Sequence, residues 1–157
     1  MSTVTMLIGS LSDRELVRDS GMMTVFKEVD VDVDVHVISA HRNAAELHEF
    51  CEKSDTKVII AAAALATALP GAVAGATRMH KVVIGVPLDD FGVDSCLRMP
   101  PGVPVLTAGV GKPGLRNAAI AACQILAISD PGIATRLQKH LSDRTRKVEF
   151  NVSIDGM

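Results

Sequence analysis

A hydroxyl, an imidazole and a guanidinium stand almost in a row at Ser39-Ala40-His41-Arg42, directly after the valine-rich run that ends at Ile38. A chain that only has to turn there can do so with Gly, Asn or Asp. Imidazole titrates near neutrality and suits moving one proton on and off a substrate. Guanidinium offers a planar fork that matches phosphate. A histidine so placed can also simply hydrogen-bond its own turn, and spacing alone leaves both readings open. A second such segment, Gly9-Ser10-Leu11-Ser12-Asp13, follows the apolar run Val4–Ile8. Both segments lead into a helix start, where free N–H groups favour an anion. Asp13 cannot bind phosphate, but it can accept from ribose hydroxyls or a ring amine. Ser10, Ser12 and Asp13 read equally well as plain helix caps.

The other chemically capable residues carry less. His36 falls on an alternating strand, facing solvent or a helix; His48 falls on a helix; His80 and His140 read as surface residues. No two histidines have metal-ligand spacing, so no metal site is expected. Cys51, Cys96 and Cys123 are scattered and odd in number, which argues against disulfides and zinc alike. Cys123, inside an apolar helix, reads as core. The segment Gly109–Gly114, GVGKPG, lacks the spacing and terminal Ser/Thr of a P-loop and reads mainly as a turn. A net charge of −2 and four Phe as the sole aromatics give no reason to expect a nucleic-acid partner. Hydrophobic content of 48% with 22% charged residues fits a globular protein, and the apolar stretch around Val58–Ala76 is broken by Pro70, Gly71 and Gly75. No membrane segment or signal peptide is expected, and cytoplasm is the expected compartment.

These residues need a frame, and strand and helix signals alternate to supply one. VTMLI (Val4–Ile8) reads as a doubly buried strand, followed by a helix over about 13–28, where Ser12 and Glu15 have capping-box spacing. VDVDVDVHVIS puts its valines on one face and Asp30, Asp32, Asp34 and His36 on the other, as an acidic edge strand would. Asn43 with Glu46 starts a second capped helix. KVIIAAAA, KVVIGVP and GVPVLTAG read as strands three to five, with LPGAVAGA and LRNAAIAACQILAI as helices between and after them. Asp130-Pro131 opens a last helix with Pro in its first turn. The fold class expected is α/β, a three-layer sandwich with a five-stranded parallel sheet, Rossmann- or flavodoxin-like, plus a C-terminal helix, in one domain over 1–157. Ligands of such sheets bind beyond the strands' carboxyl ends. Gly9–Asp13, Ser39–Arg42, Leu65–Gly71, Pro87–Phe91 and Ala108–Gly114 all lie there.

In this order, GSLSD at Gly9–Asp13, SAHR at Ser39–Arg42, ALPG at Ala68–Gly71, MPPGVPV at Met99–Val105 and NAAIAACQILA at Asn117–Ala127 resemble the PurE family. Its members form carboxyaminoimidazole ribonucleotide in purine biosynthesis. The resemblance implies that Ser10, Asp13 and Arg42 bind the ribonucleotide, with Arg42 on its phosphate. Ser12, Ser39, Ala40, Ala68 and Leu69 would complete the substrate pocket. His41 would be the catalytic acid/base at C4 of the aminoimidazole ring. It further implies CO2 as the group handled, no metal or organic cofactor, and a homo-octamer whose C-terminal helix, about 131–148, packs on a neighbouring subunit.

Family members either move CO2 from the N5-carbamate to C4, as mutases, or add free CO2 to aminoimidazole ribonucleotide, as direct carboxylases. ALATALPG places Ala68 where the mutase pattern GGAAHLPG has a histidine, and the segment PLDDFGVDSCLRMP is shorter than in mutases, with SCLRMP closer to the carboxylases. Arg42 in SAHR follows the mutases instead. The reading taken is mutase. A direct carboxylase, a nucleotide binder without turnover, and a carboxylase of another nucleotide are the alternatives.

Overall fold

In the computed structural model, residues 4–142 are described. Five strands, β1 (Val4–Ile8), β2 (Val33–Val37), β3 (Val58–Ala63), β4 (Val82–Pro87) and β5 (Leu106–Thr107), form one all-parallel sheet in the order β2-β1-β3-β4-β5. The α/β class and the flavodoxin-like strand order follow. β1, β3 and β4 have burial on both faces, which is why their sequences run apolar without alternation. The one polar side chain in β1, Thr5, is buried against Thr56, hydroxyl to hydroxyl at 2.8 Å.

One core lies between the sheet and the helices α1 (Arg14–Asp19), α2 (Met22–Val29), α6 (Gly111–Ala127) and α7 (Pro131–Ser142). The other lies under α3 (Ala44–Lys53) and α4 (Leu69–Ala76). Small residues Ala118, Ala119, Ala122 and Cys123 bring α6 close to the sheet, and all are fully buried. Gly114 in its first turn has no room for a side chain, because a Cβ there would strike the Gly109 carbonyl. GVGKPG is therefore only half a turn, since the helix already begins at Gly111.

Several expectations need correction. The single helix over 13–28 is two. Ser20 ends α1 by donating to the Val17 carbonyl (2.7 Å) and opens α2 by accepting from the Met22 N–H (3.2 Å). Gly21 between them sits at φ 78°, a conformation helices do not contain. The valines of this run are not evenly buried: Val31, just before β2, is in the core, Val33 packs at its rim, and Val35 and Val37 are 43% and 44% exposed. β2 is an edge strand, as its acidic face suggested, and His36 packs against Phe50 of α3 in a tilted ring contact, centroids 4.8 Å apart. β5 shrinks to two residues, because Gly102 (φ 90°) and the Val103-to-Pro100 hydrogen bond make a turn of its first half, and Pro104 has no N–H to give a ladder. A short helix not foreseen, α5 (Val93–Leu97), follows β4.

His140 is not a surface residue. It is buried, with Nδ1 2.5 Å from Glu28 Oε2, and helps seat α7 on α2. Pro131 starts α7 as expected, and Asp130 accepts from the N–H groups of Gly132 and Ile133 (2.9 and 3.1 Å). The expected extension of this helix to about 148 lies outside the described residues. No described helix is long and apolar enough to cross a membrane.

Candidate active site

Strand order reverses at β1: the chain passes from β1 outward to β2, then returns to β3 on the other side of β1. The three loops leaving these strands diverge there and enclose a cavity of about 330 Å³. Gly9, Ser10, Ser12 and Asp13 line it from β1, Ser39 to Arg42 from β2, and Ala63 to Leu69 from β3. All nine residues singled out in the sequence, Ser10, Ser12, Asp13, Ser39, Ala40, His41, Arg42, Ala68 and Leu69, are among its lining. The loops after β4 and β5 are not. A larger groove of about 560 Å³ runs between β2 and α3, lined by Asp34, His36, Phe50 and neighbours, and contains none of the nine.

At Gly9 the β1 and β3 walls approach closely, since a Cβ there would sit 3.2 Å from that of Ala63. Ser10 then caps a single 3-10 turn (Leu11–Asp13) by accepting from the Ser12 N–H at 3.3 Å and from the Ser12 hydroxyl at 2.8 Å. The expected Ser12–Glu15 capping box is not formed: Ser10 does the capping, one turn earlier. Ser10 still keeps its own O–H for a ligand. Ser39 accepts from the Arg42 N–H (3.3 Å) and Asn43 Oδ1 takes the Ser39 N–H (3.4 Å), so Asn43 pins the strand end instead of capping α3.

The histidine's two readings separate here. Among the described residues, the His41 ring makes no hydrogen bond to its turn, and the Arg42 guanidinium has no carboxylate partner. Both are exposed at the mouth of the cavity. An exposed guanidinium beside an exposed imidazole has the chemistry to take an anion and to move a proton. Opposite them, burial pushes the Asp13 carboxyl above the usual range, and the charge of Asp89 adds to this against a backbone hydrogen bond at Ser10.

The β3 wall is apolar. Ala63, Ala64, Ala66 and Ala68 present methyl groups. The one hydroxyl of this wall, on Thr67, is buried and turned to the carbonyls of Ala63 (3.0 Å) and Leu65 (3.3 Å). Burial raises the thiols of Cys96 and Cys123 to about 11, and that of Cys51 upward, so none is a nucleophile at neutral pH. Among the described residues no three His, Cys, Asp or Glu side chains cluster as metal ligands would.

In the sequence, Asp89 stood out only as part of the strand-end segment Pro87–Phe91, and Ser95 and Gly92 did not stand out at all. These residues lie behind the wall rather than in the cavity. Their only signal was position, just after a strand's carboxyl end.

Sheet order and the strand-end cavity define an α/β protein of flavodoxin-like topology with a cavity at the strand switch point. Residues 3–147 match the model of the AIR carboxylase family, and the chain belongs to that family. An N5-carboxyaminoimidazole ribonucleotide mutase of Pyrococcus abyssi is 40% identical over 93% of this chain and 86% of that protein. Another so named, from Methanocaldococcus jannaschii, is 39% identical over 92% of each, and one from Haemophilus influenzae is 38% identical over 94% and 93%. The crystal structure of Treponema denticola PurE superposes with a TM-score of 0.76 at 26% identity, covering 90% of each chain.

Proposed function

We propose that this chain is an N5-carboxyaminoimidazole ribonucleotide mutase of purine biosynthesis, moving CO2 from N5 to C4 of the aminoimidazole ring. One observation carries the reading. An unpaired imidazole and an unpaired guanidinium from a single turn share a cavity with Ser10 and Asp13, in a chain of the AIR carboxylase family. Arg42 holds the phosphate; Ser10, Ser12, Ser39 and Asp13 take the sugar and ring polar atoms; Ala40, Ala68 and Leu69 frame the ring. His41, protonated, delivers its proton to N5 as the N–CO2 bond breaks. Released CO2, itself apolar, is kept against C4 by the alanine wall, where little water competes. The enamine-like C4 attacks it, a C–C bond forms, and His41 takes back the proton that C4 loses. Protons and electrons balance, so the step needs no cofactor.

His41→Asn tests this. Turnover of the N5-carboxy compound falls by about 100-fold or more while the ribonucleotide still binds. Retained turnover removes His41 from the mechanism.

Direct carboxylation of aminoimidazole ribonucleotide is the second reading, favoured by the wall itself. With Ala68 in place of a histidine and the Thr67 hydroxyl turned away, no side chain there can hold a carbamate by hydrogen bonds. Incorporation of labelled bicarbonate, without the N5-carboxy compound, tests it. The family resemblance further supports a cytoplasmic homo-octamer of single-domain chains with the C-terminal helix against a neighbour.

A further inference from the structure

The β3 wall has no glycine, yet it bends as glycine-rich loops do. Leu65 and Thr67 both take left-handed backbone (φ 57° and 48°), which is strained for a residue with a side chain and persists only where the surroundings enforce it. A branched side chain at 67 makes the strain worse. What enforces it comes from the segment after β4. Asp89 spans two loops with one carboxylate: Oδ2 accepts from the Leu65 N–H at 2.8 Å and Oδ1 from the Phe91 N–H at 3.0 Å. Ser95 donates to the Ala66 carbonyl at 2.8 Å. Gly92 leaves the space Thr67 fills, since a Cβ there would collide with the threonine side chain.

We infer that Asp89 is a positioning residue of this active site, holding the alanine wall over the cavity through the Leu65 N–H. The inference rests on the mutase or carboxylase reading above, because the wall matters only if a carboxyl group or CO2 must be kept at C4. Asp89 is not among the residues lining the cavity, and its hydrogen bond to that lining is the one from the Leu65 N–H. Burial is the first cause of the raised Asp13 carboxyl, and the charge of Asp89 adds to it.

The two bonds of Asp89 can be separated. In Asp89→Ser the shorter side chain still caps the Asp90–Gly92 turn at the Phe91 N–H, as serine does in such turns, but cannot span to Leu65. Asp89→Ala removes both. Both variants are compared with wild type by steady-state kinetics, ribonucleotide affinity, thermal unfolding and amide hydrogen exchange. In Asp89→Ser, kcat falls about 10- to 100-fold, ribonucleotide affinity stays within about threefold, and the Leu65 amide loses protection while that of Phe91 keeps it. Asp89→Ala shows the same kcat loss with a lower unfolding temperature. Wild-type kcat in Asp89→Ser, or unchanged protection at Leu65, overturns the inference. If wild type turns over neither substrate, the functional reading fails by itself, and exchange at Leu65 still decides whether Asp89 holds the wall.

Discussion

Arg42 and Asp13 do opposite things to the cavity, and each can be tested alone. Arg42 has its guanidinium exposed and unpaired among the described residues, so removing it breaks nothing in the fold. A charge-assisted hydrogen bond to phosphate contributes about 1.5–3 kcal/mol. Arg42→Ala therefore raises the Kd for the ribonucleotide by roughly 10- to 100-fold, with the unfolding midpoint unchanged. Unchanged affinity in calorimetry contradicts the phosphate role. Asp13, by contrast, is held at a cost to the fold. Burial first, and the Asp89 charge after it, raise its carboxyl pKa above its ordinary value of 3.8. The folded state then binds the proton more tightly than the unfolded chain, so stability falls as pH rises through the window just above 3.8 and stays reduced beyond it. Asp13→Asn removes that loss: the variant unfolds at a higher temperature than wild type at pH 7, the two converge at acid pH, and ribonucleotide affinity weakens. A lower midpoint at pH 7 would show Asp13 to be a stabilising group instead. The pairing of SAHR with GSLSD made both residues legible in the sequence. Neither the burial of Asp13 nor the role of Asp89 was, because both depend on loops distant in sequence.

At the scale of elements, buried strands announced themselves and the pieces with local exceptions did not. β1, β3 and β4 are continuous apolar runs and sit where sequence puts them. The helix pair α1 and α2 was hidden because hydrophobic spacing continues across Ser20-Gly21, where the Ser20 hydroxyl's bonds and Gly21's left-handed backbone divide it. The Asn43 cap failed for a related reason: its side chain found the Ser39 N–H, a closer partner set by the strand end. β5 was overread because Val103 and Val105 look like strand residues while Pro104 between them cannot complete a ladder. The start of α6 depends on close backbone contact. Gly114→Ala drives a methyl into the Gly109 carbonyl, and the fold loses about 1–3 kcal/mol by overpacking. Urea denaturation checks this, and wild-type stability would mean that the Gly109 turn is free to move.

At the scale of the molecule, the described residues leave several large apolar side chains exposed. Val35 and Val37 on one sheet edge, Leu106 on the other, and Phe91 and Ile128 on loops are all exposed. Exposed apolar groups gathered at both edges of a sheet are what a self-associating chain presents. Light scattering after gel filtration is expected to give a mass near eight chains, and a monomer at micromolar concentration contradicts the proposed assembly. The reaction itself is the central claim, and its donor is the point on which the alanine wall and the relatives' name pull apart. The most direct measurement supplies purified protein with N5-carboxyaminoimidazole ribonucleotide and, separately, with aminoimidazole ribonucleotide and bicarbonate, and follows the 4-carboxy product. Fast turnover of the N5-carboxy compound, with bicarbonate ineffective at physiological levels, is the result predicted. Efficient carboxylation from bicarbonate without the N5-carboxy compound, or no product from either, would contradict it.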